Sequence, residues 1–87
     1  ELGESLGEAL LRPHRSYLRV VEPWLDRGVI KGMAHITGGG LTENVPRTLP
    51  EGRRPVIDRD SWQVPPLFQW LQKAGEIADE EMFRAFN

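Results

Sequence analysis

Apolar residues recur at helical spacing in four stretches of the chain and fill one stretch without a helical period. Leu6, Ala9 and Leu10 predict a short helix within residues 5–11, weakened by Gly7 and closed before Pro13. Residues 16–27 carry the clearest amphipathic pattern. Tyr17, Leu18, Val21, Trp24 and Leu25 fall at i, i+1, i+4, i+7 and i+8, while Arg19, Glu22 and Asp26 take the other face. Ser16 is placed to cap that helix and Gly28 to end it. Pro23 sits inside it, where a missing N–H costs about 3 kcal/mol, so distortion is expected near Arg19. Pro65-Pro66 introduces a third helix with Leu67, Trp70, Leu71 and Ala74 as its stripe and Phe68 beside them, stopped by Gly75. Residues 79–86 read as a last short helix with Asp79 as N-cap, Glu80 and Glu81 at the positive end of the dipole, and Met82, Phe83 and Phe86 on the apolar face.

The stretch without a helical period is residues 29–37. Val29, Ile30, Met33, Ala34 and Ile36 supply apolar mass, with Gly32 as a weak point. This predicts a strand covered on both faces. Val56 and Ile57 predict a second, shorter strand at residues 54–58, after a loop containing Pro50 and Gly52. The expected fold class is therefore α/β (α+β), with helices packed on a small mixed sheet. The helix at 16–27 should lie on the strand at 29–37, and the helix at 66–74 should join the same layer. Trp24 and Trp70 read as core residues, and Trp62, among polar neighbours, reads as neither clearly core nor surface.

The chain turns on Gly38-Gly39-Gly40, between the strand end and a short helix start at residues 41–45. Strand, glycine turn and helix start together aim backbone N–H groups at one point. Glycine reaches positive φ without steric cost and keeps no side chain between the backbone and a guest. An anion such as phosphate is the natural guest, although a glycine triplet also marks an ordinary flexible turn. His35 precedes the glycines; it reads as a phosphate or proton-transfer group, or as a neutral, hydrogen-bonded histidine at a strand end. Arg47 offers a planar fork suited to phosphate, or a surface pair with Glu43 or Glu51. Asn44 is a ligand contact or a turn cap.

Composition narrows the classes. Eighty-seven residues fit one small domain or part of one. The net charge of −2 with mixed signs gives no basis for nucleic acid or a membrane surface as partner. Without cysteine there is no disulfide framework, thiolate metal site or cysteine nucleophile. No apolar run approaches the roughly 20 residues of a membrane span, and no signal peptide is visible. Gly40 is not followed by Lys, so there is no Walker-type loop; His/Cys metal spacing and a Gly-x-Ser-x-Gly elbow are also missing.

His35-Ile36-Thr37-Gly38-Gly39-Gly40-Leu41, then Glu43-Asn44 and Pro46-Arg47, resembles the signature of the phosphoribosylformylglycinamidine cyclo-ligase (aminoimidazole ribonucleotide synthetase) family. The likeness extends upstream to Leu10-Leu11-Arg12-Pro13-His14-Arg15-Ser16-Tyr17, where His14 stands at a position commonly Thr. It extends downstream to Leu49-Pro50-Glu51-Gly52 and to Glu81-Met82-Phe83-Arg84-Ala85-Phe86-Asn87. It covers nearly the whole chain, in order.

The resemblance implies part of the C-terminal domain of a cytoplasmic, homodimeric purine-biosynthesis ligase. Such an enzyme uses ATP and Mg²⁺, held mainly by an N-terminal domain, to close the imidazole ring of formylglycinamidine ribonucleotide. The chain then reads as a fragment truncated at both ends, inactive alone and binding neither ATP nor Mg²⁺ tightly. The resemblance also implies His35 as the candidate catalytic residue, and Thr37, Gly38, Gly39, Gly40, Asn44 and Arg47 as the substrate-phosphate site, with no metal ligand. Two alternatives stay open. One is a superfamily relative such as selenophosphate synthetase, thiamine-monophosphate kinase or the amidotransferase-linked formylglycinamidine ribonucleotide synthetase. The other is a non-catalytic phosphate-binding or protein-interaction module.

Overall fold

Ser5 opens the first helix through a reciprocal cap. Its hydroxyl accepts the Glu8 N–H at 3.2 Å, and the Glu8 carboxylate accepts the Ser5 N–H at 3.0 Å. A computed structural model describes residues 2–86; Glu1 and Asn87, the last residue of the family-like block, lie outside them. The order of helices is α1 (Leu6–Leu10), α2 (Leu18–Leu25), α3 (Gly40–Asn44), α4 (Pro66–Gly75) and α5 (Asp79–Ala85). Short 3-10 turns occupy Pro46–Thr48 and Arg59–Ser61.

α2 is shorter than its pattern. It begins at Leu18 behind Tyr17, and the Ser16 hydroxyl accepts the Leu18 N–H only at 3.4 Å. Pro23 lies inside it, so the Arg19 carbonyl receives no bond from position 23. Gly28, at φ 64°, closes the following turn with its N–H on the Leu25 carbonyl. None of the residues of α2 is buried: Leu18, Val20, Trp24 and Leu25 are all exposed, and the Arg27 guanidinium lies over the Trp24 ring. The expectation of Trp24 as core is thus corrected; Trp70 is half-buried.

Among the described residues there is no strand. Residues 29–37 run without a ladder, and the stretch expected at 54–58 is loop, with Val56 among the most exposed apolar residues. A strand forms by pairing, and neither stretch has a partner beside it among these residues. The alternation is nonetheless present at the end of the first stretch: Ala34 and Ile36 are half-buried, while Met33, His35 and Thr37 are exposed. The mixed sheet is absent from the described chain, and α2 does not pack on residues 29–37 as a helix on a strand.

Two helix ends differ from the residues expected. Gly75 is the last residue of α4, and Glu76 takes the left-handed conformation (φ 49°). The Ile77 N–H reaches back to the Gln72 carbonyl at 3.0 Å, and a Cβ on Gly75 would come within 3.0 Å of the Ile77 side chain. The glycine therefore makes room for the chain reversal, and its neighbour supplies the left-handed residue. α5 is capped by Ala78, not Asp79; the Asp79 carboxylate accepts the Gln72 side-chain amide at 2.6 Å, fastening α5 to the end of α4.

Among the described residues, α3 packs against α5. Met82 of α5 and Ala9 of α1 are the buried apolar residues, and the Phe68 and Phe86 rings meet at 5.6 Å between α4 and α5. The accessible surface of 7842 Å² is half as large again as the roughly 5,200 Å² of a compact monomer of this mass. The radius of gyration, 15.9 Å, likewise exceeds the roughly 12 Å of a compact chain of this length.

Candidate functional site

The glycine turn is built from three distinct positions. The Gly40 N–H donates to the Thr37 carbonyl at 2.9 Å, which makes residues 37–40 a tight turn. Gly39, at φ 98° and ψ −14°, has the dihedrals of the third residue of a type II turn, which glycine favours. Gly40 begins α3 at φ 65°. A Cβ there would lie 1.8 Å from the Phe83 carbonyl oxygen, so the turn presses directly on the backbone of α5. The Gly39 N–H then donates to the Arg84 carbonyl at 3.0 Å. Two of the three glycine amides are thus spent within the chain. Gly38 is exposed, has open space where a Cβ would stand, and its N–H makes no hydrogen bond among the described residues. α3 has five residues, too few for a substantial dipole at its start.

Asn44 ties this turn together. It is 3% exposed, and its side-chain nitrogen donates toward the carbonyls of Gly40 at 2.8 Å, Thr37 at 3.2 Å and Gly38 at 3.4 Å. Three acceptors on one side fix which end of the amide faces the turn. The amide oxygen therefore points the other way and accepts the Arg47 Nη1 at 3.3 Å. Asn44 closes the turn from inside, so of its two sequence readings the turn-holding one describes its contacts. Sequence reasoning left this undecided; the spacing was the available signal, since Asn44 lies four residues after Gly40, one helical turn away.

Arg47 follows on the 3-10 turn after α3. It is exposed, its described contact is the one to Asn44, and it forms no ion pair with Glu43 or Glu51. Glu43 instead pairs with Arg84 at 3.6 Å, an exposed pair worth little by itself. Arg59 lies 3.9 Å above the Phe83 ring and tethers the loop at 59–61 to α5. Three guanidinium groups are thus attached to the unit formed by the turn, α3 and α5. Thr37 is an exposed residue whose carbonyl is taken by Asn44 and Gly40. His35 is exposed, with no hydrogen bond to another described residue. Hydrogen bonds bring the turn, Asn44 and Arg47 together; among the described residues none joins His35 to them.

Among the described residues, no group of three or more His, Asp or Glu side chains lies together as metal ligands. No helix among them is long and apolar enough to cross a membrane. A shallow cleft on α4, lined by Leu2, Pro66, Gln69, Trp70 and Lys73, shares no residue with the glycine turn.

The turn and its neighbour thus leave two N–H donors open among the described residues, the Gly38 amide and the exposed Arg47 guanidinium. Residues 1–87 match the family model described as "AIR synthase related protein, C-terminal domain", and the chain belongs to that family. Its relatives include proteins named phosphoribosylformylglycinamidine cyclo-ligase. The one from Desulfitobacterium hafniense (strain DSM 10664 / DCB-2) is 59% identical over 87 residues, which is 100% of this chain and 26% of the relative. The one from Neisseria meningitidis serogroup B is 55% identical over 85 residues, 98% of this chain and 25% of the relative. The one from Cupriavidus pinatubonensis is 53% identical over 85 residues, 98% and 24% respectively. The chain spans about a quarter of the length of the curated relatives it matches.

Proposed function

We propose that this chain is the C-terminal-domain segment of an ATP-dependent ligase of purine biosynthesis. That ligase closes the imidazole ring of formylglycinamidine ribonucleotide, giving aminoimidazole ribonucleotide, ADP and phosphate. The observation that carries the proposal is 53–59% identity, along at least 98% of the chain, to relatives named as that cyclo-ligase. The open surface supports it. The excess of roughly 2,600 Å² over a compact monomer exceeds the roughly 800 Å² that one side of a standard interface covers. Such a face belongs against the rest of a larger domain, and residues 29–37 take their place in a mixed sheet once a neighbouring strand pairs with them.

Within that enzyme the turn at residues 37–40, with Asn44 and Arg47, holds the ribose phosphate of the substrate. The Gly40 amide closes the turn and the Gly39 amide holds α5, so the donors available to a phosphate are the Gly38 N–H and the Arg47 fork, with Thr37 opening the turn and His35 two residues before it. A guanidinium placed over a phosphate binds it in both ground and transition states, which is a role in affinity and orientation. ATP is the second substrate, and Mg²⁺ accompanies it. The cytoplasmic, homodimeric character belongs to the same reading, as does inactivity of the 87 residues alone.

The test is a product assay on the complete polypeptide that carries these residues, supplied with ATP, Mg²⁺ and formylglycinamidine ribonucleotide. ATP-dependent ring closure is expected. ATP turnover only with selenide or thiamine monophosphate would move the protein to a superfamily relative. Phosphate-ester binding with no turnover on any of these would make it a binding module.

A further inference from the structure

Asn44 is the one buried polar side chain among the described residues, and its two ends face different tasks. The nitrogen holds the turn through three carbonyls, and that demand leaves the oxygen directed at Arg47. Arg47 has no carboxylate partner among the described residues, and its hydrogen bond there is the one to the Asn44 oxygen. A guanidinium has five N–H donors in a rigid fork; one hydrogen bond to Asn44 orients the plane and leaves the others for a ligand. A fork oriented before the ligand arrives loses less side-chain entropy on binding.

We infer that Asn44 is a positioning residue that aligns the Arg47 guanidinium for the substrate phosphate, coupling the shape of the glycine turn to the direction of the fork. This rests on the phosphate reading of the turn given above. It assigns Asn44 no contact with the substrate, unlike the role that the family resemblance implies for it. It also makes the effects of the two residues non-additive, because Asn44 acts on the phosphate only through Arg47.

The experiment is a double-mutant cycle in the complete enzyme, reading KM for formylglycinamidine ribonucleotide and kcat separately. Arg47→Ala removes a charge-assisted contact and should raise KM about tenfold or more, with kcat changed much less. Asn44→Ala should raise KM in the same direction, and in the Arg47→Ala background it should raise KM no further. If Asn44→Ala does not accumulate as folded protein, Asn44→Ser takes its place. A serine at 44 keeps a donor for the Gly40 carbonyl four residues back but offers nothing that reaches Arg47. Multiplying KM effects in the double variant would overturn the inference, because a merely structural Asn44 acts independently of Arg47. An Arg47→Ala effect with unchanged KM in Asn44→Ser would overturn it too, while leaving the phosphate reading standing. Unchanged KM in Arg47→Ala itself would overturn the phosphate reading, and the positioning role with it.

Discussion

Replacing Gly40 by alanine separates the two readings of the glycine triplet, flexible turn or fitted joint. At Gly40 the backbone is left-handed, φ 65°, which costs a residue with a Cβ about 1–2 kcal/mol. The new methyl carbon would stand 1.8 Å from the Phe83 carbonyl oxygen and 3.0 Å from its carbon. Those are backbone atoms in the middle of α5, so relief requires moving a helix, and overpacking of that kind costs about 1–3 kcal/mol. Moving α5 away also weakens the 3.0 Å bond from the Gly39 N–H to the Arg84 carbonyl, worth about 1 kcal/mol. The total is about 3–6 kcal/mol. In a domain of 150–250 residues that lowers Tm by roughly 6–24 °C. Gly38→Ala is the internal control. Nothing lies within 4 Å of its added Cβ and its φ is not left-handed, so the expected change is near zero or slightly stabilising. Thermal unfolding of both variants in the complete polypeptide, followed by circular dichroism, gives the comparison. Equal Tm for Gly38→Ala and Gly40→Ala would refute the fitted joint and return the triplet to an ordinary flexible turn.

Two further predictions concern helix ends. Glu76 holds a left-handed conformation that glycine adopts freely, so Glu76→Gly should stabilise by about 0.5–1 kcal/mol, and a lowered Tm would contradict this. The Glu8 carboxyl is held below its usual range by the Ser5 N–H and, after that, the Ser5 hydroxyl. Because the folded value is depressed, the contribution of this cap is present above the ordinary carboxylate pKa and is lost as pH falls through the lowered one. An NMR pH titration of the Ser5 and Glu8 amides should show that loss on the acid side in the parent and not in Glu8→Gln; the same profile in both would dismiss the cap as its source.

The helices were legible because each carries its own periodicity. Helices at Leu6–Leu10, Pro66–Gly75 and Asp79–Ala85 lie where the spacing puts them, although Ala74 of the α4 stripe is exposed. The expected sheet is absent among the described residues, because pairing is a property of two segments, and residues 29–37 show only the alternation of Ala34 and Ile36 without a neighbour. Trp24 illustrates the same gap. Its stripe is real, but a stripe states that a face wants cover and not that cover is present. At the site, the glycine turn and Arg47 were visible from residue type, whereas the distribution of the amides was not. That Gly39 is spent on Arg84 depends on α5 arriving from more than 40 residues away in the chain, whereas the Gly40 bond to Thr37 is local to the turn. Asn44 lay between the two cases: its residue type fits either role, and burial against three carbonyls decides for the turn.

Transplantation puts the family match and the chemistry into one assay. These 87 residues would replace the matching 87 of the Desulfitobacterium hafniense relative, to which they are 59% identical. The folded chimera would then be assayed for ATP-dependent conversion of formylglycinamidine ribonucleotide to aminoimidazole ribonucleotide. The account predicts ring closure within about tenfold of the parent relative, a barrier difference of no more than about 1.4 kcal/mol. A folded chimera that still consumes ATP but closes no ring would contradict it.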